Sequence, residues 1–97
     1  MPARTGTFSA ELKPRQAKLL RCRLTLHDDV IVTVRFTGDF FLMPGDAMKK
    51  LEEELKGTSV DKMASRITEF FSRSNIEMLG VSPEHFIAVM ETALAKS

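Results

Sequence analysis

The sequence predicts an α+β fold, with a small antiparallel sheet (a hairpin, with room for a third short strand) covered on one face by about three helices. Two observations carry that expectation. Leu20, Cys22, Leu24 and Leu26 alternate with Arg21, Arg23 and Thr25, the period of a half-buried strand, and a β-branched run from Val30 to Thr37 follows. Further on, three segments between Asp46 and Leu94 repeat apolar residues at helical spacing, each bounded by capping or breaking residues. Strands followed by helices give an α+β layer arrangement, and so small a sheet needs helical cover to be stable.

Residues 1–14 lack periodicity and contain Gly6, Ser9 and Pro14. They read as a flexible N-terminal arm, loose or ordered by packing on something else, with no core of its own; the domain proper is expected over 15–97. In the hairpin, pairing Leu26 with Val30 across His27-Asp28-Asp29 sets Leu24 opposite Val32, Cys22 opposite Val34 and Leu20 opposite Phe36. Every apolar residue then falls on one face, whereas a slip of one residue mixes the faces.

The block Gly38-Asp39-Phe40-Phe41-Leu42-Met43-Pro44 follows the second strand. Two adjacent aromatics at the exit of a strand, opened by Gly-Asp and closed by Pro-Gly, suggest a loop with a fixed role. Asp46 caps a helix through about Lys56, with Met48, Leu51 and Leu55 on one face and Gly57 as terminator. A second helix begins at Thr58 or Ser59, where Thr58 and Asp61 resemble a capping box, and carries Val60, Met63, Ile67, Phe70 and Phe71 inward. The stretch from Ile76 to Val81 reads either as a bent linker or as a short strand. Ser82-Pro83-Glu84 opens a last helix with Phe86, Met90, Ala93 and Leu94 facing the core.

Ninety-seven residues make one domain that buries roughly 60–65% of its unfolded surface, without need of a metal or disulfides. A net charge of +1 gives no global pull toward nucleic acid or an anionic membrane. The apolar runs are too short to span a bilayer, the N-terminus has no signal-peptide pattern, and a cytoplasmic protein is expected.

No nucleophile with a base, paired carboxylates, metal-ligand spacing or glycine-rich phosphate loop is present, so no catalytic residue and no metal site is expected. His27 beside Asp28 and Asp29 reads as turn chemistry, and His85 as a solvent-facing residue in the first turn of the last helix. Cys22 shares the inward face and reads as a core thiol. The outer face of the hairpin carries Arg21, Arg23 and Arg35, with Arg21 opposite Arg35 in the expected register. Such a face is either solvated or meets an acidic surface or a nucleotide phosphate held by another subunit. One of Phe40 and Phe41 points into the core; the other is an interface anchor unless the loop folds back on it.

Lys18-Leu19 opening a strand, the hairpin, Gly38-Asp39-Phe40-Phe41-Leu42-x-Pro44, Leu51-Glu52-x-x-Leu55-x-Gly57 and the Gly80-Val81-Ser82 helix start together resemble the C-terminal accessory domain of lipoate–protein ligases, here expected as a free-standing small subunit. One departure is Ala17 before Lys18, where the family pattern has glycine. The resemblance covers residues 13–97. It implies an accessory subunit that works with a separate catalytic subunit in ATP-dependent activation of lipoate to lipoyl-adenylate, before transfer to a lysine of an acceptor protein. It also implies that lipoate, ATP and magnesium are held by the catalytic partner, none of them by this chain alone. Lipoyl-acceptor domains are expected as transient partners. Asp39, Phe40 and Phe41, with Arg21, Arg23 and Arg35, are the expected docking residues. Two alternatives stay open: a small sulfur-carrier or iron–sulfur-scaffold-like protein, and a non-enzymatic adaptor binding lipoyl-type domains.

Overall fold

The computed structural model describes residues 3–15 and 17–96. Strands β2 (Leu20–His27) and β3 (Val30–Gly38) form the expected hairpin, but in a different register. The turn is shorter than expected: His27 pairs with Val30, and Asp28 and Asp29 both adopt positive φ (51° and 61°). A two-residue turn of that hand matches strand twist, and aspartate tolerates the left-handed region better than most residues. The carboxylate of Asp29 accepts the Arg4 amide at 2.9 Å, and the Asp28 amide donates to the Thr5 hydroxyl at 3.0 Å.

A bulge follows. Leu26 faces Ile31 while Thr25 faces Thr33, which leaves Val32 as the extra residue. An inserted residue shifts the period-two alternation by one. Ile31 therefore points inward on one side of the bulge and Val34 and Phe36 on the other, whereas Val32, expected inside, is 47% exposed. Leu24 lies opposite Val34, Cys22 opposite Phe36 and Leu20 opposite Gly38, two residues from the expected pairing.

The expectation of an N-terminal segment without core is also corrected. Gly6–Leu12 forms β1, antiparallel to β2, completing a sheet of order β1-β2-β3. Ala10 is buried, and Phe8 and Leu12 pack against the core. Only Met1 and Pro2 of the expected arm lie outside the described residues. The remaining strands are β4 (Phe41–Met43) and β5 (Glu77–Leu79), which pair only with each other in a two-stranded ribbon. The stretch around Ile76–Val81 is thus a strand, but outside the main sheet.

Helices α1 (Ala47–Leu55), α2 (Met63–Arg73) and α3 (Pro83–Leu94) cover the sheet. α3 packs on β1 and β2, α1 on β3, and α2 against the other two helices. Leu51 and Leu55 are fully buried as expected, as are Ile67, Phe86, Met90 and Ala93. Asp46 precedes α1 but pairs with Lys50 at 3.4 Å instead of capping an amide. α2 is preceded by one 3₁₀ turn, and the polar pair there is Ser59 with Asp61 (2.6 Å) rather than Thr58 with Asp61. Thr58 is instead buried, its hydroxyl directed to the Glu54 carbonyl.

The outer edge of β3 is closed by α1 and the connection after it. The Phe36 amide donates to the Glu52 carboxylate at 2.8 Å, the Ile31 amide to the Thr58 carbonyl at 2.9 Å, and the Gly57 amide to the Ile31 carbonyl at 2.7 Å. Unpaired strand amides would otherwise template association with another chain.

Candidate functional site

Gly38 ends β3 at φ +151°, where an added Cβ would lie 2.1 Å from the Leu19 carbonyl oxygen. The Asp39 amide donates to that same carbonyl at 3.0 Å. Glycine and backbone set this turn; the Asp39 side chain is exposed. The chain then runs extended, which sends successive side chains to opposite sides.

Phe40 turns inward, its ring edge-on to Phe86 with centroids 5.6 Å apart. Phe86, fully buried, also meets Phe36 at 5.1 Å and Phe71 at 5.6 Å, so Phe40 completes an aromatic cluster. Phe41 turns outward and is 72% exposed. Across the ribbon Phe41 pairs with Leu79 and Met43 with Glu77, while Leu42 lies buried on the other face. Leu79 is 65% and Met43 58% exposed. Three of the four large apolar side chains exposed among the described residues therefore share one face of β4–β5. Scattered exposed aliphatics are ordinary, whereas these three lie together and make the ribbon a candidate interaction surface.

Met43 and Leu79 were not expected in the site. The alternation of Phe41 and Met43 about Leu42 is visible in sequence, but Leu79 joins them through a pairing of two three-residue strands that no local pattern announces.

The basic residues are arranged differently from expectation. Arg23, not Arg21, lies opposite Arg35; Arg21 lies opposite Thr37 and its Nε is 3.1 Å from the Glu11 carboxylate on β1. Among the described residues neither Arg23 nor Arg35 has a carboxylate within 4 Å. The apolar strip adjoins one end of this sheet: Thr37, opposite Arg21, precedes the Gly38 turn, and the Lys18 amide donates to the Gly80 carbonyl just after β5 at 2.8 Å.

Reactive chemistry finds little support. Cys22 is 1% exposed, and burial, with the Glu52 charge as the lesser cause, pushes its thiol up to about 12. A thiol held protonated is a poor nucleophile and sulfur carrier. His85 is not solvent-facing as expected: it is half-buried, and its Nδ1 accepts the Ser82 amide at 3.0 Å, capping α3. His27 and Asp28 form only an exposed 3.5 Å contact, and among the described residues no group of three or more His, Cys, Asp or Glu is placed to hold a metal ion. No helix among them is long and apolar enough to cross a membrane.

The fold is a small α+β module with a filled core and an apolar strip exposed on the β4–β5 ribbon. No family model matches the chain. A curated relative, lipoate-protein ligase A subunit 2 of Thermoplasma acidophilum, is 36% identical over 72 residues, 74% of this chain and 76% of the relative. A solved structure of an archaeal bipartite lipoate protein ligase and its E2 lipoyl domain, also from Thermoplasma acidophilum, matches with a TM-score of 0.81 and 31% identity, over 89% of this chain and 96% of that one. The chain belongs to the family of lipoate–protein ligase A subunit 2.

Proposed function

We propose that this chain is the accessory subunit of a two-part lipoate–protein ligase and docks on a separate catalytic subunit through the Phe41, Met43 and Leu79 strip. The exposure of that strip on an otherwise filled fold is the observation that supports the reading. Phe40 anchors the strip from beneath, and Gly38 with the Asp39 backbone fixes its departure from the sheet.

The chain contributes shape rather than a reacting group. Docking orders the nucleotide loops of the catalytic subunit and excludes water while lipoate is activated with ATP to lipoyl-adenylate, and the chain then moves relative to the catalytic subunit so that an acceptor domain can present its lysine. Lipoate, ATP and magnesium sit in the partner. Interface anchors are characteristically aromatic, and burying a Phe side chain stabilises a complex by about 2 kcal/mol.

The test is lipoate-dependent ATP–pyrophosphate exchange with this chain alone, the candidate catalytic subunit alone, and the two together. Exchange that requires the mixture supports the proposal. Full exchange by the catalytic subunit alone overturns it and favours an adaptor that binds lipoyl-type domains without taking part in activation.

A further inference from the structure

The outer face of the β1–β2–β3 sheet is a second surface, of opposite character to the apolar strip. Two grooves, about 440 and 400 Å³, run along it and share Arg23 and Arg35, which face each other across β2 and β3. Lys49 on α1 and Lys56 just after it line the first, and Arg21 and Lys96 the second. The acids there are Glu11, Glu52 and Glu53. Two of them are already engaged, Glu11 by Arg21 and Glu52 by the Phe36 amide. Among the described residues no carboxylate lies within 4 Å of the charged nitrogens of Arg23, Arg35, Lys49 or Lys56.

Juxtaposed arginines repel each other, and a chain of net charge +1 has no general need to gather cations in one place. Their forks suit carboxylates, two donors to two oxygens. The interspersed glutamates disfavour a polyphosphate chain, which is negative throughout, and suit a folded protein surface of acidic but mixed charge. Neither groove is lined by an exposed large apolar side chain. A charged, hydroxyl-bearing face of this kind speeds encounter and gives salt-sensitive contacts, as a transient partner requires, whereas the apolar strip suits longer-lived docking.

We infer that this face receives an acidic surface of the lipoyl-acceptor domain, apart from the strip that docks the catalytic subunit. The inference rests on the proposed ligase role, which supplies the acceptor as the partner that must come and go. Arg23 and Arg35 act at its centre, with Lys49, Lys56 and Lys96 at the rim.

The test uses the reconstituted two-subunit ligase with the intact chain, its Arg23→Glu/Arg35→Glu variant and its Arg23→Gln/Arg35→Gln variant. Lipoyl transfer to the acceptor domain is followed at about 50 and 500 mM salt. Charge reversal is expected to raise KM for the acceptor by about 10-fold or more at low salt, with the glutamine pair intermediate and the difference shrinking at high salt. The half-saturating concentration of this chain in pyrophosphate exchange is read in parallel. A defect confined to that exchange step assigns the face to the catalytic subunit, a raised KM for ATP assigns it to the nucleotide phosphates, and an unchanged acceptor KM leaves a solvated face; each overturns the inference. Should exchange prove independent of this chain, the ligase role fails separately, and direct titration of the chain with the acceptor domain at both salts still decides the question: salt-sensitive binding lost on charge reversal supports it, and no binding overturns it.

Discussion

Phe40 and Phe86 meet edge to face at 5.6 Å, and this contact turns the neighbouring Phe41 out into solvent. The two aromatics are one residue apart and do opposite work: one belongs to the core, the other to a surface. Substitution should separate them. Phe40→Ala removes a half-buried ring from the aromatic cluster and should destabilise the fold by about 2–3 kcal/mol, whereas Phe41→Ala should stay within about 0.5 kcal/mol of the native chain. Urea unfolding of both variants gives the comparison; equal losses would mean that Phe41 is packed in solution.

Gly38 is the hinge of the same device. With φ at +151° and a would-be Cβ 2.1 Å from the Leu19 carbonyl, Gly38→Ala must displace backbone on the neighbouring segment. A loss of at least about 2 kcal/mol is expected, with the amide of Asp39 losing protection from hydrogen exchange. Gly45, where an added Cβ would meet nothing within 4 Å beyond its chain neighbours, is the control: alanine there should have little effect on unfolding.

Cys22 makes the pH dependence legible. Its thiol stands at about 12 in the fold against 9.0 for the free group, so the folded state holds this proton more tightly than the unfolded chain. The associated stability is complete below pH 9 and is lost as pH rises from there toward 12. One proton corresponds to about 1.4 kcal/mol per pH unit in that window. The native chain should therefore lose about 1.4 kcal/mol more than Cys22→Ala between pH 8 and pH 10. Parallel unfolding curves for the two at both pH values would rule out a buried thiol. Alkylation at pH 8 should be slow in the native protein and fast in urea.

Glu52 closes the outer edge of the sheet through the Phe36 amide. Glu52→Ala leaves that amide without its carboxylate and should cost about 1.5 kcal/mol, accompanied by faster exchange of the Phe36 amide and a tendency to self-associate. Sedimentation of the variant across a concentration series measures the last of these; a strictly monomeric variant of native stability would show that solvent satisfies the edge unaided.

The helices were legible because their signals are local. Leu51, Leu55, Ile67, Phe86 and Met90 recur at helical spacing, and Ser82-Pro83 marks a start that the structure keeps. The sheet was legible only in outline. Val30, Val32, Val34 and Phe36 form an unbroken alternation that hides a bulge, since nothing in a run of β-branched residues says that Ile31 rather than Val32 faces inward. Asp28-Asp29 as a two-residue turn was masked by the weak turn signal of aspartate compared with Asn-Gly. In β1, Phe8, Ala10 and Leu12 alternate with Thr7, Ser9 and Glu11, but the apolar face is only three residues long and its buried centre is an alanine, so the signal is weak. In the proposed docking surface the sequence exposed the Phe40–Phe41 conflict but not its completion by Met43 and Leu79, which depends on a long-range pairing. The arginine cluster was recognised with the wrong facing pair because its geometry inherits the register.

The proposed docking role turns on Phe41, and the most direct test is a titration of the catalytic subunit with the native chain and with Phe41→Ala/Leu79→Ala, reading lipoate-dependent ATP–pyrophosphate exchange. Loss of an aromatic anchor of about 2 kcal/mol corresponds to roughly 30-fold. The half-saturating concentration of the double variant should rise by at least about that factor, with its unfolding curve and the exchange rate at saturation close to native. A half-saturating concentration equal to that of the native chain would contradict docking through this strip.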